Sequence, residues 1–129
     1  MSTTNKPQFE VVAPVFGVTD ALRSSAYYVD QLAFEIGFEW SDAEDEHPRY
    51  IIVNKGNTEL HLSQTQSPQL STAYFFIDGV QDYYNEIKTS NAIITEHIAD
   101  YPWDMREFEV KDLDGNTLVF GEHLSRLKN

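Results

Sequence analysis

The sequence predicts an α+β fold built from two βαβββ modules in tandem. Gly56-Asn57-Thr58 and Gly115-Asn116-Thr117 each open an alternating strand pattern, with an offset of 59 residues between positions 56 and 115. The same offset relates Val18 to Ile77, and each of these residues ends an apolar run that a helical pattern follows. A two-copy repeat of this length predicts paired modules whose curved, mixed sheets enclose a cleft.

The length of 129 residues fits a single domain with a sizeable core. We assign residues 1–8 to a polar N-terminal tail and residues 9–124 to one domain, made of repeats 9–64 and 71–122. The sequence has no cysteine, which excludes a disulfide framework, a thiol nucleophile and a cysteine-ligated metal cluster. The interior must therefore be held by packing alone.

The first repeat begins with a strand from Phe9 to Val18 that Pro14 interrupts, which predicts an edge strand or a change of partner at that point. Thr19 is the predicted N-cap of the following helix, and Asp20 favours its positive end. The helix should end near Ala33. Its predicted buried stripe is Leu22, Ala26, Val29 and Leu32. Strands are predicted over 35–41, 49–54 and 59–64, with an acidic loop over 42–46.

The second repeat follows the same order of elements. A strand over 71–77 precedes a helix, and strands follow over 92–97, 106–111 and 117–122. Asp114-Gly115 predicts a two-residue hairpin turn between the last two strands. The apolar residues of the helix recur at the spacing of one helical face; they are Val80, Tyr83, Tyr84 and Ile87.

The net charge of the chain limits the classes of molecule that it is expected to bind. Nine Lys and Arg residues against 21 Asp and Glu residues give a net charge of −12, which disfavours nucleic acid. The acidity either serves solubility or attracts a cationic ligand. No apolar stretch approaches the roughly 18 residues of a membrane helix, and the polar start of the chain predicts a cytoplasmic protein.

Several motifs resemble those of the vicinal oxygen chelate superfamily, which includes glyoxalase I, extradiol dioxygenases, fosfomycin-resistance enzymes and bleomycin-resistance proteins. The resemblance covers residues 11–122, and the segment 102–116 is most similar to bleomycin-resistance proteins. The sequence departs from that pattern by Ala33, where a glycine is usual, and by an extra residue between Trp103 and Arg106. The motifs are Pro14-Val15-Phe16-x-Val18-x-Asp20, Tyr27-Tyr28, Leu32-Ala33-Phe34, Pro102-Trp103, Arg106-Glu107-Phe108 and Asp112-x-Asp114-Gly115-Asn116.

The resemblance implies four positions at which enzymes of the superfamily ligate a divalent ion. The two first-strand positions are Ala13 and Thr72, and the last-strand position is Val119. For the fourth position the repeat offset indicates Leu60, whereas strand alternation indicates His61, which we favour. One imidazole cannot hold a divalent ion, so we predict no metal and no cofactor. His61 is then a hydrogen-bonding or proton-transfer group in the cavity, or a half-exposed strand residue.

Aromatic side chains supply what ligand binding requires, whereas no nucleophile, phosphate or dinucleotide motif is present. Flat rings can stack on a planar group and attract a cation. The resemblance matches Phe38, Tyr50 and Trp103 to the aromatics that hold the bithiazole of bleomycin, and it matches Ser63 to a polar contact. Trp40 and Trp103 each adjoin an acidic residue, Asp42 and Asp104. The predicted ligand-binding residues are Phe38, Trp40, Tyr50, His61, Ser63, Tyr74, Phe76 and Trp103, although strand aromatics also fill cores.

These observations predict a metal-free protein of bleomycin-resistance type that sequesters a flat, cationic drug such as bleomycin. The resemblance implies a homodimer with first strands swapped at Pro14 and with clefts at the interface. One alternative is a lyase, isomerase or dioxygenase whose metal is held by His61 with Glu59 or Glu122. The other is a non-catalytic sensor or interaction module in which the aromatics fill the cavity.

Overall fold

The helix and strands of the first module follow the predicted order along the chain. The computed structural model describes residues 6–44 and 46–127. The predicted tail over 1–8 and the acidic loop over 42–46 therefore lie partly outside the described residues. The elements of this module are β1 (Val15–Val18), α1 (Ala21–Leu32), β2 (Glu35–Trp40), β3 (Tyr50–Lys55) and β4 (Thr58–Gln64).

The second module repeats this order. The strand after its helix, which was predicted to stop at His97, continues to Tyr101. A short 3-10 helix, Leu124–Leu127, follows the last strand. The elements are β5 (Thr72–Phe76), α2 (Val80–Ile87), β6 (Ile93–Tyr101), β7 (Met105–Lys111) and β8 (Thr117–His123). Within the described residues, no helix is long and apolar enough to cross a membrane.

Each module forms one four-stranded mixed sheet, which confirms the predicted α+β class. The strand order is β1-β4-β3-β2 in the first sheet and β5-β8-β7-β6 in the second. The first strand of each module pairs parallel with the last, and the other pairs are antiparallel. One face of each sheet packs with the helices into a single apolar core that includes Phe16, Leu62, Phe75 and Phe120. The opposite faces, here called the outer faces, carry the half-exposed side chains.

The buried face of α1 differs from the predicted stripe. Leu22 and Ala26 are exposed, whereas Tyr27 and Tyr28 are buried. The tyrosines bury more area than the two aliphatic side chains, and each hydroxyl finds an acceptor in the second module: the Lys111 carbonyl at 2.7 Å and the Asp112 carboxylate at 2.9 Å. The helix therefore rotates to bury the tyrosines. The predicted stripe of α2 is confirmed for its three buried residues, Val80, Tyr83 and Ile87.

The ends of α1 are set by Asp20 and Ala33. Asp20, not Thr19, is the N-cap, and its side chain accepts a hydrogen bond from the Arg23 amide at 3.0 Å. Thr19 instead donates from its hydroxyl to Asp114 at 2.8 Å. At the other end Ala33 adopts the left-handed conformation with φ 61°. A glycine would enter that conformation without steric cost, which explains why glycine is the usual residue at this position.

The first predicted strand is shorter than expected. Residues 9–14 form no strand, and β1 begins after Pro14, at the edge of its sheet as predicted. The proline carbonyl accepts a hydrogen bond from the His61 amide at 2.9 Å, but its nitrogen has no hydrogen to donate. Phe9, 97% exposed, has no packing partner that would hold it in a sheet.

The two modules differ in the turn before their last strand. In the first module Gly56-Asn57 forms a two-residue turn, since Lys55 pairs with Thr58. In the second, Lys111 pairs with Thr117, so five residues, 112–116, connect the strands. The two-residue hairpin predicted at Asp114-Gly115 is therefore wrong. The Asp112 carboxylate stabilises the longer loop by accepting hydrogen bonds from three backbone amides of residues 114–116.

The observed strand register shows why the repeat offset and the strand alternation disagree. Phe16 aligns with Leu62, and Phe75 aligns with Phe120, so the last strands are related by 58 residues and the first strands by 59. His61 is consequently the structural equivalent of Val119. The third strands are related by 57 residues, because Ile51 pairs with Leu62 and Phe108 pairs with Phe120. The offset therefore changes twice, before the third strand and again in the turn. Before the third strand the pairing is irregular in both modules, at Ile36–Phe38 and at Ile94–Ala99.

Candidate functional site

The outer face of the first sheet holds five of the eight predicted ligand-binding residues. Strand alternation buries Leu60 and Leu62 under α1 and leaves His61 and Ser63 half-exposed, as predicted. Tyr50 lies directly opposite Ser63 on the neighbouring strand β3. Side chains of directly opposite residues share one face of a sheet, so these residues form one row.

Strand β2 adds two aromatic rings to this face. Trp40 lies opposite Tyr50, and Phe38 lies opposite Ile52, after an irregularity in pairing between Ile36 and Phe38. Phe38 is 50% exposed and Trp40 is 48% exposed, so neither ring belongs to the core. The rings line an open recess of about 480 Å³. The residues of this outer recess are Phe38, Trp40, Asp42, Arg49, Tyr50, Ser63 and Gln64.

The charge at the outer recess is more balanced than the sequence suggested. Asp42, which adjoins Trp40, forms an ion pair with Arg49 at 3.0 Å. Both side chains are about half exposed, so water screens the pair and it adds little stability. Asp42 is therefore not an unopposed negative charge beside Trp40. Attraction of a cation would depend on the rings and on the net charge of the whole chain.

His61 connects two further residues in a hydrogen-bonded chain. Its Nδ1 lies 2.6 Å from the Tyr50 hydroxyl, and its Nε2 lies 2.8 Å from Oε1 of Glu59. The Tyr50 and His61 rings meet edge to face, with centroids 5.5 Å apart and planes at 89°. Both ring nitrogens of His61 are thus engaged within the protein. The sequence indicated His61 but did not predict its link to Tyr50.

The outer face of the second sheet holds the other three predicted residues. Tyr74 and Phe76 lie on β5 with ring centroids 4.9 Å apart, and Trp103 lies in the turn between β6 and β7. Glu107, which sequence reasoning missed, joins them. Its Oε1 accepts hydrogen bonds from the Tyr74 hydroxyl at 2.8 Å and from the Trp103 indole at 3.1 Å. The alternation of β7, which buries Met105 and Phe108, is too irregular to have indicated it.

Tyr74 reaches Glu107 because Gly121 leaves room for it. A β-carbon at Gly121 would collide with the Tyr74 hydroxyl. Partial burial raises the pKa of Tyr74, and the hydrogen bond to Glu107 raises it further. The Trp103 ring stacks on the Tyr101 ring, with the ring centroids 4.7 Å apart. Its partners are therefore Tyr101 and Glu107, and not the adjacent Asp104.

The structure therefore separates the predicted residues into two groups on two sheets. The recess is lined by residues of the first module alone. It does not include Tyr74, Phe76 or Trp103, so one chain does not bring the eight residues into one cavity there. Sequence reasoning also missed Arg49 and Gln64 as lining residues. Their neighbours Tyr50 and Ser63 were indicated, but the position where a strand ends is poorly defined by sequence.

The residues at the four metal positions do not fit a divalent ion. Ala13 and Val119 have no donor atoms, Thr72 offers a hydroxyl, and both nitrogens of His61 are engaged. Among the described residues no three His, Cys, Asp or Glu side chains are grouped as a metal site would require. Glu122, named above as an alternative ligand, is buried under α2, where its Oε1 accepts from the amides of Gly79 and Val80 at 3.0 Å.

The chain belongs to the glyoxalase superfamily. The model of a family described as "Glyoxalase superfamily protein" matches residues 1–126, nearly the whole sequence. The motifs and the paired βαβββ modules agree with this assignment. No curated protein matches the sequence.

Solved structures of the superfamily share the fold at low sequence identity. TioX from Micromonospora sp. ML1 is 19% identical with a TM-score of 0.76, over 87% of this chain and 97% of that one. The bleomycin-binding protein from Streptomyces verticillus, in complex with copper(II)-bleomycin, is 23% identical with a TM-score of 0.72, over 89% and 97%. Lactoylglutathione lyase from Agrobacterium tumefaciens is 16% identical with a TM-score of 0.71, over 91% and 96%. The family thus contains both binding proteins and enzymes.

Proposed function

We propose that this protein binds a flat, cationic small molecule of the bleomycin class and sequesters it without chemical change. The observation that carries the proposal is the outer recess, in which Phe38, Trp40 and Tyr50 present half-exposed rings around about 480 Å³. Rings buried in a closed interior would suit the alternative of a filled interaction module, but these rings line an open recess. Stacking on them would hold a planar heteroaromatic group.

Two further observations support binding over catalysis. The four positions that would ligate a metal carry Ala13, His61, Thr72 and Val119, which cannot together activate a chelated substrate. The fold is also that of a protein from Streptomyces verticillus that holds copper(II)-bleomycin. The net charge of −12 would favour the approach of a cationic ligand.

The proposal includes a homodimer in which the first sheet of one protomer faces the second sheet of its partner. Both outer faces carry large exposed rings, including Phe76 at 66% and Trp103 at 60% exposure. Exposed apolar surface of this extent is typical of an interface. Such a pairing would place Trp103 near the outer recess of the partner and would form two equivalent clefts. Exchange of the first strands at Pro14 is one way to build it.

Sedimentation of the purified protein tests the dimer. We expect a species of twice the 14.8 kDa chain mass at micromolar concentration. The Phe76→Asp variant places a charge on the second outer face and should shift the protein to monomer, whereas Leu22→Asp on the exposed side of α1 should not. A wild-type protein that sediments as a monomer would exclude the shared cleft.

Titration calorimetry with metal-free bleomycin tests the ligand class. We expect a dissociation constant of about 10 µM or tighter, equivalent to about −7 kcal/mol. Trp40→Ala should weaken binding about tenfold or more by removing a stacking face. The matched control, Leu22→Ala, removes an exposed apolar side chain outside the recess and should bind as the wild type does. No measurable binding by the wild type would reject the drug assignment.

Elemental analysis separates the proposal from the enzymatic alternative. Protein purified without chelators should contain no stoichiometric Ni, Zn, Mn or Fe. One equivalent of any of these, lost in the His61→Ala variant, would instead indicate a metal-dependent lyase, isomerase or dioxygenase.

A further inference from the structure

When the His61 imidazole is neutral, the hydrogen-bonded series Glu59–His61–Tyr50 has one direction that follows from elementary chemistry. A carboxylate only accepts hydrogen bonds, so the contact at 2.8 Å requires the hydrogen of His61 to reside on Nε2. In the neutral imidazole Nδ1 is then an acceptor. The Tyr50 hydroxyl, 2.6 Å from Nδ1, must therefore donate its hydrogen to His61.

With these hydrogen bonds in place, the Tyr50 oxygen can only accept a further hydrogen bond. Its single hydrogen is used by His61, while its lone pairs remain available on the outer face, where Tyr50 lines the recess. No other described polar group is hydrogen-bonded to this oxygen in the structure. The side chains of His61 and Glu59 are 19% and 38% exposed, so the chain lies at the surface of the sheet and not within the core.

We propose that Tyr50 is a directional acceptor that selects ligands carrying an N–H or O–H donor beside an aromatic ring. The inference rests on the proposed function, because it assigns a polarity to the same recess. Trp40 lies opposite Tyr50 and supplies a ring face, so a donor attached to a planar group can bind both residues at once. A cationic N–H donor fits best, since a charge-assisted hydrogen bond is stronger than a neutral one.

Glu59 and His61 act as positioning residues in this proposal. They do not need to contact the ligand; they hold the Tyr50 hydrogen away from it. A tyrosine without this chain could rotate its hydrogen toward the ligand and serve as donor or acceptor. The same position in the second module carries Glu107, an obligate acceptor, since Tyr50 and Glu107 lie opposite the equivalent residues Ser63 and Gly121.

Nitrogen-15 spectroscopy of labelled histidine tests the direction without any ligand. We expect the hydrogen of the His61 ring to reside on Nε2, with Nδ1 as the acceptor from Tyr50. In Glu59→Gln the amide can donate to the ring, so a measurable population with the hydrogen on Nδ1 should appear. A wild-type ring that carries its hydrogen on Nδ1, or on both nitrogens, would overturn the proposal whether or not bleomycin binds.

Two small probes test the selectivity. Benzylammonium and benzyltrimethylammonium carry the same ring and charge, but only the first has N–H donors. We expect benzylammonium to bind the wild type at least about fivefold more tightly, as followed by amide chemical shifts of the recess. In Tyr50→Phe, which keeps the ring, this ratio should fall to about one, whereas Trp40→Ala should weaken both probes and preserve the ratio.

The two proposals fail in different ways. Loss of bleomycin binding with an intact probe ratio would reject the drug assignment and keep the role of Tyr50. Bleomycin binding with equal affinity for the two probes, or an unchanged ratio in Tyr50→Phe, would keep the ligand class and reject the directional acceptor.

Discussion

The two modules are alike where they share the core and different where they face outward. On the inner side Phe16 corresponds to Phe75, and Leu62 corresponds to Phe120, all of them buried. On the outer side Val15 corresponds to Tyr74, and His61 corresponds to Val119. Packing against a common core restricts the inner residues, whereas no described group packs on the outer faces to impose similarity. A repeat can therefore keep its fold while each copy acquires its own surface chemistry.

The helices show the same principle through reciprocal hydrogen bonds. Tyr28 of the first module donates to Asp112 of the second, and Tyr83 of the second donates to the Leu32 carbonyl of the first. Each bond is buried and crosses between modules. Burial raises the pKa of both hydroxyls, and for Tyr28 the nearby Asp112 adds to the effect. The modules are thus held together by polar groups as well as by apolar contact.

The largest expected difference between the modules is the effect on stability of substitutions in the turns before β4 and β8. Asp112 is buried and accepts hydrogen bonds from three loop amides, from Tyr28 and from the Asn116 side chain. Asp112→Ala should therefore lower the free energy of unfolding by about 3 to 4 kcal/mol, measured by urea denaturation. Asn57→Ala in the exposed two-residue turn should change it by less than about 0.5 kcal/mol. Similar losses in the two variants would show that the long loop is not held as described.

A smaller difference in stability is expected for the side chains that accept hydrogen bonds from the first turn of each helix. Gln64 and Glu122 are equivalent, and each closes the first turn of its module's helix. Gln64 accepts one hydrogen bond, from the Ala21 amide at 2.9 Å, whereas the Glu122 carboxylate accepts two. We expect Glu122→Ala to cost about 2 kcal/mol and Gln64→Ala about 1 kcal/mol in thermal or urea unfolding. Glu122→Gln, which keeps an acceptor, should recover part of the loss, and equal costs would remove the distinction.

Alkaline unfolding tests the reciprocal tyrosines. A raised pKa in the folded state means that the unfolded chain loses the tyrosine proton first, so the stabilisation is complete below about pH 10 and declines above it. Each such tyrosine should contribute a slope of about 1.4 kcal/mol per pH unit to the free energy of unfolding above pH 10. Tyr83→Phe should reduce the total slope by one such step, measured by urea denaturation at several alkaline pH values. An unaltered slope would mean that Tyr83 ionises in the folded protein.

The sequence predicted the repeat, the order of elements and the family, because these depend on alternation and periodicity within short segments. It did not predict the burial of Tyr28, which depends on an acceptor 84 residues away in Asp112. It predicted eight ligand-binding residues in clefts at a dimer interface, and it could not assign them to surfaces of one chain: Tyr50 lies on the first sheet, and Trp103 lies in the turn between β6 and β7. The hydrogen bonds that join Glu59, His61 and Tyr50 could not be predicted either, because the pairing of β3 with β4 decides which side chains meet. Contacts between distant segments are what a single sequence leaves undefined.

The smallest expected effect concerns how the two helices end. Helix α1 ends at Ala33 in the left-handed conformation, whereas α2 ends at Lys88 with φ −66°, an ordinary helical value. Ala33→Gly should raise the free energy of unfolding by about 0.5 to 1 kcal/mol, because relief of the steric cost exceeds the added entropy of the unfolded chain. Lys88→Gly should lower it by a similar amount, since no strain is relieved there. Urea denaturation of the two variants measures the contrast, and a loss of stability in both would show that Ala33 carries no strain.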